Sequence, residues 1–339
     1  MGQIIRVGLD TSKQVFQVHG VGADEAVALR RRLRRRDVVE FFRRLPPALI
    51  GLEACGGSHH WARVLGSLGH EVRLIPPQYV KPYVKRGKND MADAAAICEA
   101  VSRPDMRFVP VKTPAEQAAL MLVTVREQLV RGRTRLINAI RGHAAEFGLV
   151  APKGPRHVAT LLAEVAADET LPVLAKELFA VLGEECAELS ERIREVEAEL
   201  QAWRRQDERA QRLTALPGVG PIGAVLLSCK VPNPRLFRSG RQFAAWLGLT
   251  PRDHSTAGKT RLGGITRAGD ELLRSTLIVG ATAVIRQVRQ GKHPGSPWLC
   301  DLLQRKTPKQ AAVALANKTA RIAWKLMVSG ETYRPSLAA

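Results

Sequence analysis

Cysteine is scarce and scattered: five residues, Cys55, Cys98, Cys186, Cys229 and Cys300, in a chain of 339. The number is odd and no two stand at CxxC spacing. That argues against a structural zinc site and for thiols kept reduced, as in a cytoplasm. Aromatic residues make up only 5%, which disfavours a protein that grips single strands mainly by stacking bases. No apolar run is long enough to span a bilayer. The opening MGQIIRVGLDTSKQ has no basic start followed by an apolar stretch, so no secretory signal is expected. Acidic residues are also in deficit: 32 Asp and Glu stand against 52 Lys and Arg, a net charge of +20. This exceeds what solubility needs and favours a polyanionic partner, nucleic acid first and a membrane surface second.

What is present suffices for a folded protein. The apolar fraction of 45% supports a sizeable core, and the length suits two or three domains. Residues 3–110 read as α/β. Ile4, Ile5, Val7 and Leu9 form a strand with Asp10 at its end, Thr11-Ser12-Lys13 turn, and Val15, Phe16 and Val18 return. Arg30 to Arg44, with Val38, Val39, Phe41 and Phe42, reads as a very basic helix. Ala48 to Leu52 is a strand ending at Glu53. Gly56-Gly57-Ser58 opens a helix closed by Gly69, in which His59 and His60 read as polar starters, with a metal role beside Glu53 as the alternative, and Trp61 packs inward. Val72 to Ile75 is a further strand, and Asp90 stands near the start of a helix running to Val101. Thr113-Pro114 opens a long helix to about 149 carrying Arg126, Arg133, Arg135 and Arg141. Phe179, Leu182, Cys186, Leu189, Ile193, Val196, Leu200 and Trp203 recur at alternating spacings of three and four. This heptad fits an antiparallel helical hairpin, a coiled coil between chains, or one amphipathic helix on a core. The rest is Gly-rich and basic, with helices at Leu272 to Val284 and Ala311 to Val328. The expected fold class is α/β followed by mainly α, with domains at 1–112, 113–205 and 206–339.

Four carboxylates suggest chemistry. Asp10 and Glu53 end strands, the sheet edge where α/β sites are usually built. Asp90 and Asp93, three apart near a helix start, share one face. Singly, each has a structural reading as a turn cap or a dipole partner. Together, in a basic α/β domain, they suit a hard divalent cation, Mg²⁺ or Mn²⁺, of the kind used in phosphoryl transfer.

Two C-terminal segments add candidates. Leu216-Pro217-Gly218-Val219-Gly220 fits either a helix-hairpin-helix, whose Gly218 and Gly220 approach a phosphate, or a tight turn between packed helices. Residues 248–274 gather Arg252, Lys259, Arg261, Arg267 and Arg274 around Ser255 and Thr256. A hydroxyl among cations can attack a phosphodiester, although composition alone favours a solvated basic loop.

The motifs V-G-L-D-T-S-K, G-L-E-A-C-G and K-N-D-M-A-D-A together resemble the RuvC-like nuclease domain of the DEDD insertion-sequence transposases, the IS-110/IS-1111 group. The similarity continues into the C-terminal block and covers most of the chain. It implies an RNase H-like domain whose catalytic, Mg²⁺-binding tetrad falls on Asp10, Glu53, Asp90 and Asp93. It also implies a helical coiled-coil middle and a mostly helical C-terminal transposase domain. There a serine in a glycine-rich segment is the covalent nucleophile, here Ser255. The stretch Ser255-Thr256-Ala257-Gly258-Lys259 departs from the family's Ser-Ser-Gly-Gly-Lys, so Thr256 is held as the alternative. The partners implied are donor and target DNA, a non-coding guide RNA encoded by the element, and further copies of the chain as a dimer or tetramer. The setting implied is a bacterial cytoplasm, at the nucleoid. The rival expectations are a hydrolytic junction nuclease using the same four acids, and a non-catalytic nucleic-acid-binding protein.

Overall fold

A computed structural model describes residues 3–84, 90–256 and 258–334. Lys88 and Asn89, which lead into Asp90, and Ala257 beside the candidate nucleophile lie outside the described residues. The chain forms two compact units, 1–114 and 115–339, the first mixed α/β and the second mainly helical.

In the first unit β1 (Ile4–Thr11), β2 (Val15–Gly22) and β3 (Val27–Arg34) form an antiparallel meander. Ser12 Oγ accepts a hydrogen bond from Val15 N at 3.1 Å and holds the first turn. Then follow α1 (Val38–Arg44), β4 (Leu49–Glu53), α2 (Ser58–Ser67), β5 (Glu71–Ile75), α3 (Pro77–Val80) and α4 (Asp90–Ala100). Strands β4 and β5 run parallel to β1, giving the order β3-β2-β1-β4-β5. Val7, Leu9, Ile50 and Leu52 are fully buried on one face with Phe42, Trp61 and Leu65. The other face of the sheet is covered by α4, and small residues let it approach: a Cβ at Gly8 would clash with the Ala94 carbonyl and stand 2.8 Å from Cys98 Cβ. A Cβ at Gly51 would lie 2.8 Å from that of Val101. Burial on both faces explains why β1 reads as a continuous apolar run.

The expected helix from Arg30 to Arg44 is corrected. Its first part is strand β3, and only Val38–Arg44 is α-helical. Arginine has good helix propensity, but Leu29 and Leu33 alternate at strand period and pack on the core, while β2 supplies the hydrogen-bonded neighbour. The result is an edge strand studded with exposed Arg30, Arg31, Arg32 and Arg34, a charged edge that resists pairing with other strands.

The second unit opens with α5 (Pro114–Glu146), α6 (Val158–Ala167) and α7 (Val173–Gln206). Helices α5 and α7 run antiparallel: Arg126 pairs with Glu197, Arg133 donates to Ser190 Oγ at 3.3 Å, and Ala144 shares a core with Phe179. Phe179, Cys186, Ile193 and Leu200, each seven residues after the last, are the buried members of the heptad. Their seam is therefore filled from within the chain, as an antiparallel hairpin. Next come α8 (Glu208–Thr214), α9 (Pro221–Lys230), α10 (Gly240–Trp246), the two-stranded β6 (Pro251–Asp253) and β7 (Leu262–Ile265), α11 (Glu271–Arg289), α12 (Pro297–Arg305) and α13 (Pro308–Ser329). Phe243, Leu273, Leu277, Ala316 and Ala320 lie at the heart of their common core. A capping box between Thr307 and Gln310 starts α13. No helix among the described residues is long and apolar enough to cross a membrane.

Candidate active site

Asp10 is the penultimate residue of β1 and Glu53 the last of β4. The two strands are parallel neighbours with Leu9 beside Leu52, so the two carboxylates emerge side by side at the same sheet edge. Asp90 and Asp93 occupy the first turn of α4. Because Gly8 admits the backbone of Ala94, the residue after Asp93, that turn is drawn to the end of β1. The electrostatics follow from this placement. Burial, then the charges of Asp93, Asp90 and Glu53, push the Asp10 carboxyl up to about 6. Burial and then Asp93 raise Glu53 as well. Among the described residues, none of the four carboxylates has a Lys or Arg at ion-pair distance. Like charges gathered at a half-buried edge without a cation are costly, and such strain is a mark of functional sites.

The donor set can be tested against a metal. Among the described residues, no group of three or more Asp, Glu, His or Cys side chains stands at metal-binding spacing. Mg²⁺, however, keeps several of its waters and is held through one or two carboxylates rather than by a closed protein cage. An all-oxygen set around Asp10, whose carboxyl burial and then the neighbouring acids push to about 6, fits a hydrated hard cation. Thr11 Oγ1 and Cys55 Sγ, 3.5 Å apart, link the two strand ends beside the acids. His59 is engaged with Lys112, its Nδ1 accepting from the Lys112 amide at 3.2 Å, and Trp61 packs edge-on against Phe16 with Arg35 over its ring.

Ser255 lies in the second unit, on the exposed hairpin between β6 and β7. Its amide donates to Asp253 Oδ1 at 2.8 Å, and its Oγ accepts from the Arg261 amide at 3.0 Å. Ser255, through its side chain and then its amide, holds the Asp253 carboxylate below the usual range. A paired bridge between Thr256 and Lys259 closes the tip. Asp253 is not among the residues that composition and motifs single out; its signal is the Asp-x-Ser spacing, at which an Asp side chain accepts from the backbone two residues on. Arg252, Lys259 and Arg261 are exposed on the same hairpin.

One expectation for this region changes. Arg274 is not among the cations around Ser255: it is 8% exposed and donates to the Leu247 and Gly269 carbonyls at 3.2 and 3.1 Å. Gly218, at φ +84°, lies in a turn that packs on α11: a Cβ at Gly280 would clash with the Gly218 carbonyl. Gly220 is exposed, with open space where its Cβ would be.

Comparison with known proteins places both regions. Residues 210–294 match the family described as transposase IS116/IS110/IS902. Residues 7–148 match a DEDD transposase family of the same group. The chain is 64% identical to a putative transposase of Sinorhizobium fredii, over 98% of this chain and 86% of the relative. It is 40% identical to the transposase for insertion sequence element IS1111A of Coxiella burnetii, over 98% and 92%. It is 38% identical to that for element IS1328 of Yersinia enterocolitica, over 98% and 99%.

Proposed function

Since the chain belongs to the IS116/IS110/IS902 family of insertion-sequence transposases, we propose that it cuts and rejoins DNA through a phosphoserine intermediate under the guidance of an RNA. The observation that carries this reading is the placement of Asp93, Asp90 and Glu53 around Asp10, whose carboxyl sits at about 6, with no Lys or Arg at ion-pair distance among the described residues. In this reading the first unit is an RNase H-like domain, which its five-stranded mixed sheet supports. Asp10, Glu53, Asp90 and Asp93 hold Mg²⁺ or Mn²⁺, which when bound neutralises these acids and stabilises charge on a phosphate.

The chain's own chemistry centres on Ser255. Its Oγ attacks a DNA phosphorus, the bond from phosphorus to the 3′ oxygen breaks, and that oxygen leaves as a hydroxyl. Asp253, which accepts from the Ser255 amide, positions the serine, and the serine proton ends on the departing 3′ oxygen. Arg252, Lys259 and Arg261 counter charge on the phosphate, and Gly220 at the start of α9 is a backbone phosphate contact. The 3′ hydroxyl of a partner strand then attacks the phosphoserine and displaces Ser255, so the bond energy is conserved and no free end remains. The net charge of +20 and the arginine edge of β3 support donor DNA, target DNA and RNA as partners.

The test is a denaturing gel with DNA carrying the element's ends. Wild-type protein is expected to give a covalent protein–DNA adduct that Ser255→Ala abolishes. An undiminished adduct from the variant overturns the assignment to Ser255. Cut ends without any adduct indicate a hydrolytic nuclease instead.

A further inference from the structure

Although aromatics are sparse, three of them meet in one place in the second unit. Trp298, Trp324 and Tyr333 line a cleft of about 730 Å³, within the roughly 300–1,000 Å³ of ordinary ligand sites. Five cations line it too, Arg241, Lys318, Arg321, Lys325 and Arg334, against one carboxylate, Glu331. Among the described residues, Arg241, Arg321, Lys325 and Arg334 have no carboxylate at ion-pair distance. None of these residues belongs to the carboxylate cluster or to the Ser255 hairpin.

The cleft is built rather than incidental. Lys318, Arg321 and Lys325 follow at spacings of three and four and so form one stripe of α13, about 10 Å long at 1.5 Å per residue. The stripe is anchored where the start of α10 meets α13: a Cβ at Gly240 would lie 3.1 Å from the Arg321 backbone. Trp324 is fixed by its indole N–H, which donates to the Pro234 carbonyl at 3.0 Å. Trp298 lies under the Lys318 ammonium, 4.6 Å from its ring centre. All three aromatic side chains are half-buried, so each keeps some surface for a flat partner.

A row of cations beside aromatic faces is the arrangement that holds single-stranded nucleic acid: the phosphates follow the charges and a base takes a ring face. We propose that this cleft binds an unpaired stretch of nucleic acid, with a base against the aromatic side chains and the flanking phosphates along Arg321 and Lys325. A duplex cannot present a base face here, so the site selects unpaired strands. DNA and RNA share the base and phosphate chemistry, and the experiment separates them.

The probes are tetranucleotides of deoxyuridine and of uridine, each carrying one 5-bromouracil, with the full-length protein. Irradiation is expected to crosslink the probe to Trp298 or Tyr333, located by mass spectrometry. Trp298→Leu is expected to weaken tetranucleotide binding about ten-fold or more. Arg321→Glu with Lys325→Glu, both exposed positions, should do the same without disturbing the core and leave a blunt duplex of equal charge less affected. Tighter binding of the ribo- than the deoxy-probe identifies RNA as the occupant, and the reverse identifies DNA. Crosslinks only outside the cleft overturn the proposal. So does an equal loss for inorganic tripolyphosphate, which marks an anion site only, or tighter binding of an oligoglutamate peptide, which marks an acidic protein partner. Adduct formation at Ser255 is scored separately, so failure here and failure of the recombinase reading are distinguishable.

Discussion

Asp10→Asn should make the metal-free protein more stable while destroying its activity. The substitution keeps the shape of the side chain and removes one charge from a set of four. An ordinary Asp gives up its proton near 3.8, whereas Asp10 in the fold holds it to about 6. The gap is roughly two pH units, each about 1.4 kcal/mol, a ceiling of about 3 kcal/mol. Half-exposure to water reduces this to about 1–2 kcal/mol. Between those two values the folded state binds the proton and the unfolded state does not. The stabilisation is therefore complete below about 3.8 and is lost as pH rises through about 6. In chelator at pH 8, the variant is expected to gain about 1–2 kcal/mol over wild type, and near pH 4 the two should agree. Saturating Mg²⁺ should reverse the ranking, since a ligand at one hundred times its Kd stabilises the protein that binds it by about 2.7 kcal/mol. Because two units need not unfold together, the readout is hydrogen exchange of peptides spanning β1 and α4. A variant no more stable than wild type at pH 8, or equally stabilised at both pH values, refutes the idea that the fold bears the cost of a half-buried charge among acids at this edge.

Other outcomes follow from named contacts. Gly8→Ala forces α4 off β1 and should cost the first unit about 1–3 kcal/mol by hydrogen exchange, with Mg²⁺-induced protection lost as Asp90 and Asp93 move away. Asp253→Ala removes the acceptor of the Ser255 amide and should slow adduct formation about ten- to a hundred-fold while leaving Mg²⁺-induced protection unchanged; an unaltered rate removes Asp253 from the positioning of Ser255. Gly280→Ala, whose added methyl meets the Gly218 carbonyl, should lower the melting midpoint of the second unit by several degrees, measured by differential scanning calorimetry.

The candidate site was legible from the sequence to the extent that its parts are local. Strand ends are marked by apolar runs that stop at an acid, as at Leu9-Asp10 and Leu52-Glu53, and a helix start by two acids three apart. The heptad of α7 was equally plain, because a seven-residue repeat is a property of one helix. The arginine run was misread because charge hides a period of two, and whether Leu29 and Leu33 form a strand depends on a neighbour, β2, to pair with. Arg274 was misread because burial of a guanidinium depends on carbonyls at Leu247 and Gly269, which the chain brings together only on folding. Asp253 was missed because its signal is a turn bond, which spacing suggests but does not single out.

The sequence by itself determined which residues carry acid, base and hydroxyl chemistry, the excess positive charge, and the order of strand and helix that puts Asp10, Glu53 and the Asp90–Asp93 pair at element ends. It also determined the family. Only the tertiary structure decided that α4 lies directly on Gly8 and Gly51, so that Asp10 feels the charges of Asp93, Asp90 and Glu53. It alone gathered Arg241, Trp298, Trp324 and Tyr333 at one stripe of α13. The reason is the same in both cases: propensity and periodicity act over a few neighbouring residues, whereas electrostatic strain and clefts arise between segments far apart in the chain that packing has brought to within a few ångströms.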